Sequence, residues 1–574
     1  MMSVPGITAL RHYRRAWLGR DVGAGLVLTA LLVPAGMGYA EASGLPAITG
    51  LYATIGALVA YALFGPSRIL VLGPDSALAP LIAAVVVSKA GGDPERAIAL
   101  ASILALFTGV MCVAAGVARA GFVTDLLSKP VRVGYMNGIG LTIVASQLPK
   151  LFGFKNGDPH FITGALRFVR HVLDGQTLPP ALAIGGACLA VILLGRAVAP
   201  RFPAILAAVV GATIAVKAFG LAHVISVVGP VPRGLPLPAI PALRSGDLVE
   251  LAVAAAGIAL VSYADTSVVS RTFAGRHGYR VDPNRELIAL GAANFLAGLL
   301  RGFPVSSSAT RTPVAESAGS RTQLTGVVGA LAIVVLLVAA PWLLEDLPTA
   351  ALAAVVIAAA LHIMDFGALV VFFRVRRSDF ALSLVALLAV AALGVLPGIA
   401  VAITVSLLDV VRRAWRPHHA VLGRATGMKG YHDLVRHPDA RQVPGLLLFR
   451  WDAPLFFANA DMFRARVMDL VDTALVPVRW VVIAAEPITD VDTTAAEMLE
   501  ELDKELATRG AELAFAEMKG PVKDRLARYG LQKQIGRELF FPTIGVAVKA
   551  FLEHNAVPWV DWEEESSGGG GGAA

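Results

Sequence analysis

The residues best suited to chemistry lie in one proline-bracketed stretch, Phe303-Pro304-Val305-Ser306-Ser307-Ser308-Ala309-Thr310-Arg311-Thr312-Pro313, set between long apolar runs. Three hydroxyls beside a fixed positive charge can donate hydrogen bonds and neutralise a negative solute, so the chemistry they offer is anion recognition. A second interruption lies far upstream at Leu72-Gly73-Pro74-Asp75-Ser76-Ala77-Leu78-Ala79-Pro80, where Ser76 can donate to an anion without adding charge. Two interrupted membrane helices, one in each half of a polytopic chain, point to a binding site. A break facing lipid would leave amides unpaired in hydrocarbon, so each must face protein or a water-filled cavity. Where the helix resumes, its first N–H groups lack intrahelical acceptors and carry roughly +0.5 charge, which attracts anions. Ser306, Ser307 and Ser308 could instead cap their own helix. That role does not account for three serines beside an arginine, a residue that in a membrane faces a partner, a cavity or an ion.

Acids complete the constellation. Ser262, Asp265, Thr266 and Val269 share one helical face in otherwise apolar surroundings. Asp265 is the candidate coupling residue for a proton or cation, with Ser262 and Thr266 lining the site; the competing reading makes Asp265 a structural partner for a neighbouring arginine. Two helix ends and Arg311 together supply on the order of +2. Protonation of Asp265 would then favour a dianion, which suggests proton–anion symport. Asp75 reads as the N-cap of its own short helix, or else as a direct participant in the site.

The elements that must position these residues follow from hydropathy. The chain has 574 residues, 56% hydrophobic and 16% charged, with mean hydropathy +0.68, a composition beyond that of a soluble domain and expected of an integral membrane protein. Apolar segments run near 22–41, 45–64, 75–88, 95–118, 122–148, 181–198 and 202–219, then 247–273, 285–301, 306–318, 322–344, 348–363, 378–394 and 396–416. The short member is third in each set of seven. A segment of about 13 residues rises only ~20 Å against a hydrocarbon core of ~30 Å, so both short members cross part way, with extended chain completing the path. Seven segments per half make the halves inverted repeats, 22–219 and 247–416, with the two short helices aimed at each other. Arginines 11 to 20 precede the membrane region 22–416 and Arg412, Arg413 and Arg416 close it, which places both termini in the cytoplasm. The connection bearing Lys150, Lys155, Arg167 and Arg170 departs from this rule. After residues 1–21 and the membrane region come a linker at 417–433, an α/β domain at 434–560 and a low-complexity tail at 561–574. In the α/β domain, Gly445 to Trp451, Val478 to Ala484 and Ala511 to Met518 read as strands, and Ala460 to Val471 and Thr494 to Ala507 as helices.

Other functions find little support. A net charge of +7 is mild and dispersed, which argues against nucleic acid. Cys112 and Cys188 lie in apolar runs without metal-type spacing, and His418, His419, His432 and His437 lack a ligand pattern, so no metal or cofactor is expected. Phosphate-loop, H-E-x-x-H, C-x-x-C and G-x-S-x-G signatures are missing, which argues against an enzyme and leaves ion coupling as the energy source.

The residues resemble a known family, the SulP sulfate permeases and related anion transporters. The likeness rests on Val33-Pro34-Ala35-Gly36-Met37-Gly38-Tyr39-Ala40, Gly44-Leu45-Pro46, Gly50-Leu51-Tyr52, Leu63-Phe64-Gly65-Pro66-Ser67-Arg68, Gly73 to Ala77, Asn284-Arg285-Glu286-Leu287, Gly302-Phe303-Pro304 and Arg321-Thr322-Gln323-Leu324. Phe456-Phe457-Ala458-Asn459-Ala460 and Ile488 to Ala495 resemble a STAS domain. The resemblance implies fourteen segments in two inverted repeats, a core domain moving against a gate domain, and homodimers in the plasma membrane. It implies an anion site at Asp75, Ser76 and Asp265 and at Ser307, Ser308, Ala309, Thr310 and Arg311. Ala35 stands where many members have Gln, and Val269 stands where sodium-coupled members resemble Asp-x-x-x-Thr, which argues for protons over sodium. Thr493 and Thr494 occupy the region of a phosphorylated serine in related soluble regulators, although helix capping is their simpler role. The expected activity is proton-coupled transport of a small oxyanion, sulfate first, with bicarbonate or a dicarboxylate as the rival. A nucleobase permease fits less well, and a membrane-tethered STAS signalling module is the reading from another class.

Overall fold

The structure is a computed structural model and describes Gly6 and residues 13–122, 128–154, 161–198, 203–241, 245–308 and 310–561. These residues divide into two compact units whose boundary falls between Ser406 and Leu407.

The first half of the membrane unit runs α1 (Leu18–Ala42), α2 (Ile48–Phe64), β1 (Leu72–Gly73), α3 (Ala79–Ala90), α4 (Pro94–Val117), α5 (Lys129–Leu151), α6 (Phe161–Leu173), α7 (Pro179–Val198) and α8 (Ala204–Ala218). The second half runs α9 (Leu248–Arg276), α10 (Pro283–Leu299), β2 (Ser306–Ser307), α11 (Arg311–Ser317), α12 (Leu324–Ala339), α13 (Thr349–Ile363), α14 (Phe366–Val375), α15 (Arg377–Leu393) and α16 (Val395–Trp415). Each apolar segment read from the sequence contains a helix. Two further helices, α6 and α14, follow the fifth segment of their respective halves, so the extra elements obey the same repeat. Hydropathy passes over α6 because Arg167, Arg170 and His171 interrupt it, and over α14 because it has only ten residues. The short helices start later than the sequence suggests, at Ala79 and Arg311 rather than 75 and 306, and a two-residue strand precedes each. Ser306 and Ser307 are extended because they pair with Gly73 and Leu72, so they cannot begin a helix, and a turn closed by Asp75 on the Ala77 amide precedes Ala79.

Packing follows the repeat. The helices α1 to α4 pack with α9 to α12, whereas α5, α7 and α8 pack with α13, α14 and α15 largely through α13 and α15. Close approach in the first group uses small residues: a Cβ on Gly291 of α10 would come within 2.7 Å of the Gly109 carbonyl of α4. Large apolar side chains such as Leu26, Val110, Leu194, Ile214, Leu331 and Leu388 are exposed, as expected of surfaces that meet lipid. Among the described residues, Arg15–Ala42, Pro94–Val117, Pro179–Val198, Leu248–Arg276 and Thr349–Val375 are long and apolar enough to cross a bilayer.

The second unit carries a six-stranded sheet formed by β3 (His419–Arg424), β4 (Tyr431–Asp433), β5 (Leu446–Trp451), β6 (Trp480–Ala484), β7 (Glu512–Ala516) and β8 (Phe540–Phe541), in the order β4-β3-β5-β6-β7-β8. Strands β5 to β8 are parallel and β3 is antiparallel to both neighbours. Helices α17 (Ala460–Asp472), α18 (Thr493–Thr508), α19 (Gly520–Arg528) and α20 (Leu531–Ile535) bury Phe463, Leu499, Leu526 and Ile535 on one face. On the other face α21 (Ile544–His554) packs Val548 and Phe551 against Trp480 and Val482. The stretch 417–433 is therefore not a linker: Ala420 and Leu422 are buried in the second core, and an antiparallel hairpin completes the sheet where polar residues suggested a tether. Apart from Asp561, the tail 561–574 lies outside the described residues.

Candidate anion-binding site

The extended residues ahead of the two short helices pair with one another. Leu72 lies opposite Ser307 and Gly73 opposite Ser306 in an antiparallel ladder, so the two breaks meet directly. Asn294 of α10 holds the second strand by accepting from the Val305 amide at 2.9 Å and donating to the Val305 and Leu290 carbonyls, each at 3.0 Å. The long helix α9 supplies Ser262, which donates to the Val305 carbonyl at 2.8 Å, and Thr266, which accepts from the Ser307 amide at 3.2 Å. Thr312 of α11 accepts from the Val71 amide at 3.2 Å, which binds one break to the other a second time. Backbone groups that a membrane helix would satisfy internally are thus satisfied across the repeat.

Arg311 spans the junction. Its side chain is 2% exposed, its Nη2 donates to the Gly73 carbonyl at 3.2 Å and lies 3.8 Å from Asp75 Oδ1, while its Nε and Nη1 have no hydrogen-bond partner among the described residues. Gly73 makes room for it, because a Cβ there would stand 2.8 Å from Arg311 Nη1. The Ser307 hydroxyl is likewise buried, with no partner among the described residues. Three buried donor sites without acceptors in one place are rare, since burying a polar group without a hydrogen bond is costly.

The remaining candidates divide. Ser308 Oγ bonds Thr310 Oγ1 at 2.9 Å and accepts from the Thr310 amide at 3.3 Å, so these two residues shape the turn into α11. Ala309 lies outside the described residues. Ser76 is buried beside Asp75 and Tyr39. Asp75 does not cap α3: the N-cap is Leu78, and Asp75 accepts from the Ala77 amide at 3.1 Å inside the preceding turn while its other oxygen faces Arg311. The late helix start moves the carboxylate off the capping position and gives it to the guanidinium. Asp265 is half-buried one turn beyond Ser262 and forms no hydrogen bond or ion pair with a described residue, and Asp75, Arg132 and Tyr135 lie within electrostatic range of it. The arginine it could have partnered at the junction, Arg311, lies against Asp75. Tyr39 and Tyr135 are site neighbours that sequence reasoning passes over, because an isolated tyrosine in an apolar helix carries no spacing signal; the Tyr135 hydroxyl is also buried, with no partner among the described residues.

The outer ends of both short helices are tethered to α9. Lys89 of α3 pairs with Asp247 at 3.2 Å and Glu250 at 2.8 Å, and Glu316 of α11 faces His277 at 2.8 Å and Arg276 at 3.5 Å. In the second unit, Thr493 and Thr494 do not cap α18. Asp492 does so, accepting from the Ala495 amide at 2.8 Å, and both threonines are exposed on the first turn.

Comparison with known proteins then decides the family. The sequence pattern of the Sulfate permease family matches residues 18–386, and that of the STAS domain matches 437–547. The chain belongs to the Sulfate permease family and carries a C-terminal STAS domain. It is 42% identical over 548 residues to a probable sulfate transporter of Mycobacterium tuberculosis, covering 95% of this chain and 98% of that protein. It is 30% identical to the chloroplastic sulfate transporter 4.1 of Arabidopsis thaliana, covering 95% and 82%. In fold it is similar to the murine anion transporter Slc26a9 in its inward-facing state, with TM-score 0.88 at 22% identity over 96% of this chain and 94% of that one. A mostly helical membrane fold followed by a STAS sheet is therefore the architecture of this sulfate permease family member.

Proposed function

We propose that this family member is a secondary active transporter of small oxyanions, sulfate first, working by alternating access in the plasma membrane with both termini and the STAS domain in the cytoplasm. The observation that carries the reading is the cluster of buried donors without acceptors, Arg311 Nε and Nη1 with Ser307 Oγ, at the junction of the two breaks. An anion there would receive a guanidinium, a hydroxyl and the amide-rich approach to α3, all held in place before it arrives. The relatives named sulfate transporters support sulfate as the first substrate to try. Bicarbonate or a dicarboxylate is the rival, because these donors recognise oxyanions without fixing their shape.

Coupling to protons follows from charge. Asp75 offsets Arg311, and Asp265 offsets what the helix ends contribute, so with both acids ionised the site offers a dianion no net attraction. A proton taken up by Asp265, which has no cation partner among the described residues, restores a positive site. Val269 places no hydroxyl one turn beyond Asp265, which leaves sodium less well provided for than a proton. The α1–α4 and α9–α12 group would carry the anion past the α5–α8 and α13–α16 elements, in a homodimer whose STAS domains contribute, with Thr493 and Thr494 open to modification.

The test is uptake of labelled sulfate, bicarbonate and succinate in turn by the purified protein in liposomes, with and without an inward proton gradient. Sulfate uptake that rises with the gradient is expected, and Asp265→Asn should carry sulfate without responding to the gradient. Asp265→Asn transport that still follows the gradient would end the coupling assignment. Silence toward all three anions, unaltered by Arg311 substitution, would end the transport assignment in favour of signalling.

A further inference from the structure

A second, larger anion site is suggested by a cavity of about 970 Å3 where α1 and α12 begin, α2 ends and α9 turns into α10. Arg14, Arg68, Arg280, Arg285 and Arg321 line it from four separate stretches of chain, against one carboxylate, Asp282. That carboxylate is already occupied, accepting from the Asn284 amide at 2.8 Å as the cap of α10, with its other oxygen 3.9 Å from Arg285 Nε. The guanidinium groups of Arg280 and Arg321 make no hydrogen bond or ion pair with a described residue. Other arginines of the molecule do reach acids: Arg464 reaches Glu505 at 2.6 Å, Arg509 reaches Asp472 at 2.8 Å, and Arg412 reaches Asp409 at 2.8 Å. Five like charges set against a single carboxylate repel one another, and a bound polyanion offsets that repulsion.

Two of the arginines are also oriented. Arg68 stacks on the Tyr279 ring at 4.9 Å and Arg14 on Trp17 at 5.5 Å, which fixes planar groups whose paired N–H donors match phosphate oxygens. The volume far exceeds one tetrahedral oxyanion, and the charge suits a ligand with two or more phosphate groups. The cavity touches the transport machinery through the chain that enters β1. Tyr279 Oη lies 3.0 Å from Ser67 Oγ and accepts from the Arg68 amide at 3.2 Å, and Gln323 donates to the Ser67 and Leu70 carbonyls at 3.0 and 2.9 Å. We propose that this cavity binds a polyphosphorylated ligand, a lipid headgroup or a soluble polyphosphate, which ties the stretches 65–70, 279–285 and 321–323 together beneath β1. The proposal stands apart from the small-oxyanion site and does not depend on it.

The test uses the full-length protein in phosphatidylcholine nanodiscs, with inorganic tripolyphosphate as the probe, titrated calorimetrically in excess sulfate so that any small-oxyanion site is already filled. Saturable binding that weakens with salt is expected. Arg280→Gln and Arg321→Gln should each raise Kd about tenfold, the loss of one charge-assisted contact, while Arg374→Gln on α14 should leave it unchanged. Both lining arginines are exposed, so these variants should melt with the parent. Repeating the titration in nanodiscs containing a phosphatidylinositol bisphosphate, against nanodiscs of matched charge made with phosphatidylserine, separates the sources: a headgroup occupant competes and raises the apparent Kd of the parent only in the former, whereas a soluble occupant gives the same Kd in both. Absence of saturable binding, or equal binding by the parent and both variants, would overturn the proposal.

Discussion

Ser307→Ala separates a structural serine from a functional one, because the two roles predict opposite signs. The Ser307 hydroxyl is buried and has no hydrogen-bond partner among the described residues, while its amide is held by Thr266 at 3.2 Å. Alanine keeps the amide bond and the β1–β2 register, and it removes a group whose burial without a partner costs about 1–3 kcal/mol. The variant should therefore be as stable as the parent or more stable by about 1 kcal/mol. If the hydroxyl donates to a bound oxyanion, its loss removes an interaction of about 1.5–3 kcal/mol, which raises KM for the anion roughly 10- to 150-fold. The measurements are thermal unfolding in detergent, read by intrinsic fluorescence, and initial rates of sulfate uptake into liposomes across a concentration series. A higher midpoint together with a higher KM is expected. A lower midpoint with unchanged KM would mean that the hydroxyl is bonded within the protein, and the case for an anion at this junction would lose one of its supports.

Three other outcomes follow from the same geometry. Asn294→Ala deprives the Val305 amide and carbonyl of bonds at 2.9 and 3.0 Å in a fully buried setting, and should destabilise by about 2–4 kcal/mol, read as a lower thermal midpoint and lower yield of folded protein. Gly73→Ala would put a methyl 2.8 Å from Arg311 Nη1, so the guanidinium must withdraw; sulfate uptake should fall sharply while melting changes little, and unchanged uptake would show that the position of Arg311 is unimportant. Burial, with a smaller contribution from the Arg466 guanidinium, pushes the pKa of His419 down. Below about pH 6.5 the unfolded chain therefore binds a proton that the native domain refuses, and the stability present above that pH is lost as pH falls. Urea unfolding of a fragment spanning 417–561 should show a lower midpoint at about pH 5.5 than at neutrality, with a smaller difference in His419→Gln.

The positions of the breaks were legible in the sequence because hydrocarbon tolerates so few polar residues that Asp75, Ser76 and Ser306 to Arg311 stand out against their flanks. Their pairing was not. Hydropathy has no signal for a two-residue ladder between 72–73 and 306–307, and the halves that form it are separated by more than two hundred residues. The same limit hid the choice of partner for Arg311, since Asp75 and Asp265 are equivalent until the fold places one at 3.8 Å and leaves the other without an ion pair among the described residues. At 417–433 the error ran the other way. His418, His419, Arg424 and His432 give that stretch a solvated look, yet in an edge hairpin only alternate side chains need be buried, and Ala420 and Leu422 suffice.

The contacts made by α9 bear on how such a site could move. At its ends, Asp247 and Glu250 hold Lys89 of α3, and Arg276 and His277 hold Glu316 of α11; at its middle, Ser262 and Thr266 hold the strand that precedes α11. With 29 residues rising about 1.5 Å each, this helix is longer than the ~30 Å hydrocarbon core and reaches both outer tethers while still passing the junction. Both short helices are therefore fastened to one rod at their far ends as well as at their shared strands. A displacement of α9 must take Arg311, Asp75 and Asp265 with it, whereas sliding one short helix alone would break hydrogen bonds and ion pairs at once. The element at the site that belongs to the other group of helices is α5, which contributes the buried Tyr135 hydroxyl near Asp265. For the alternating access proposed above, motion between α9 with its attachments and α5 with its neighbours would leave those hydrogen bonds and ion pairs intact. Tyr135→Phe, which deletes only the hydroxyl at that moving boundary, should change the rate of sulfate uptake more than its KM.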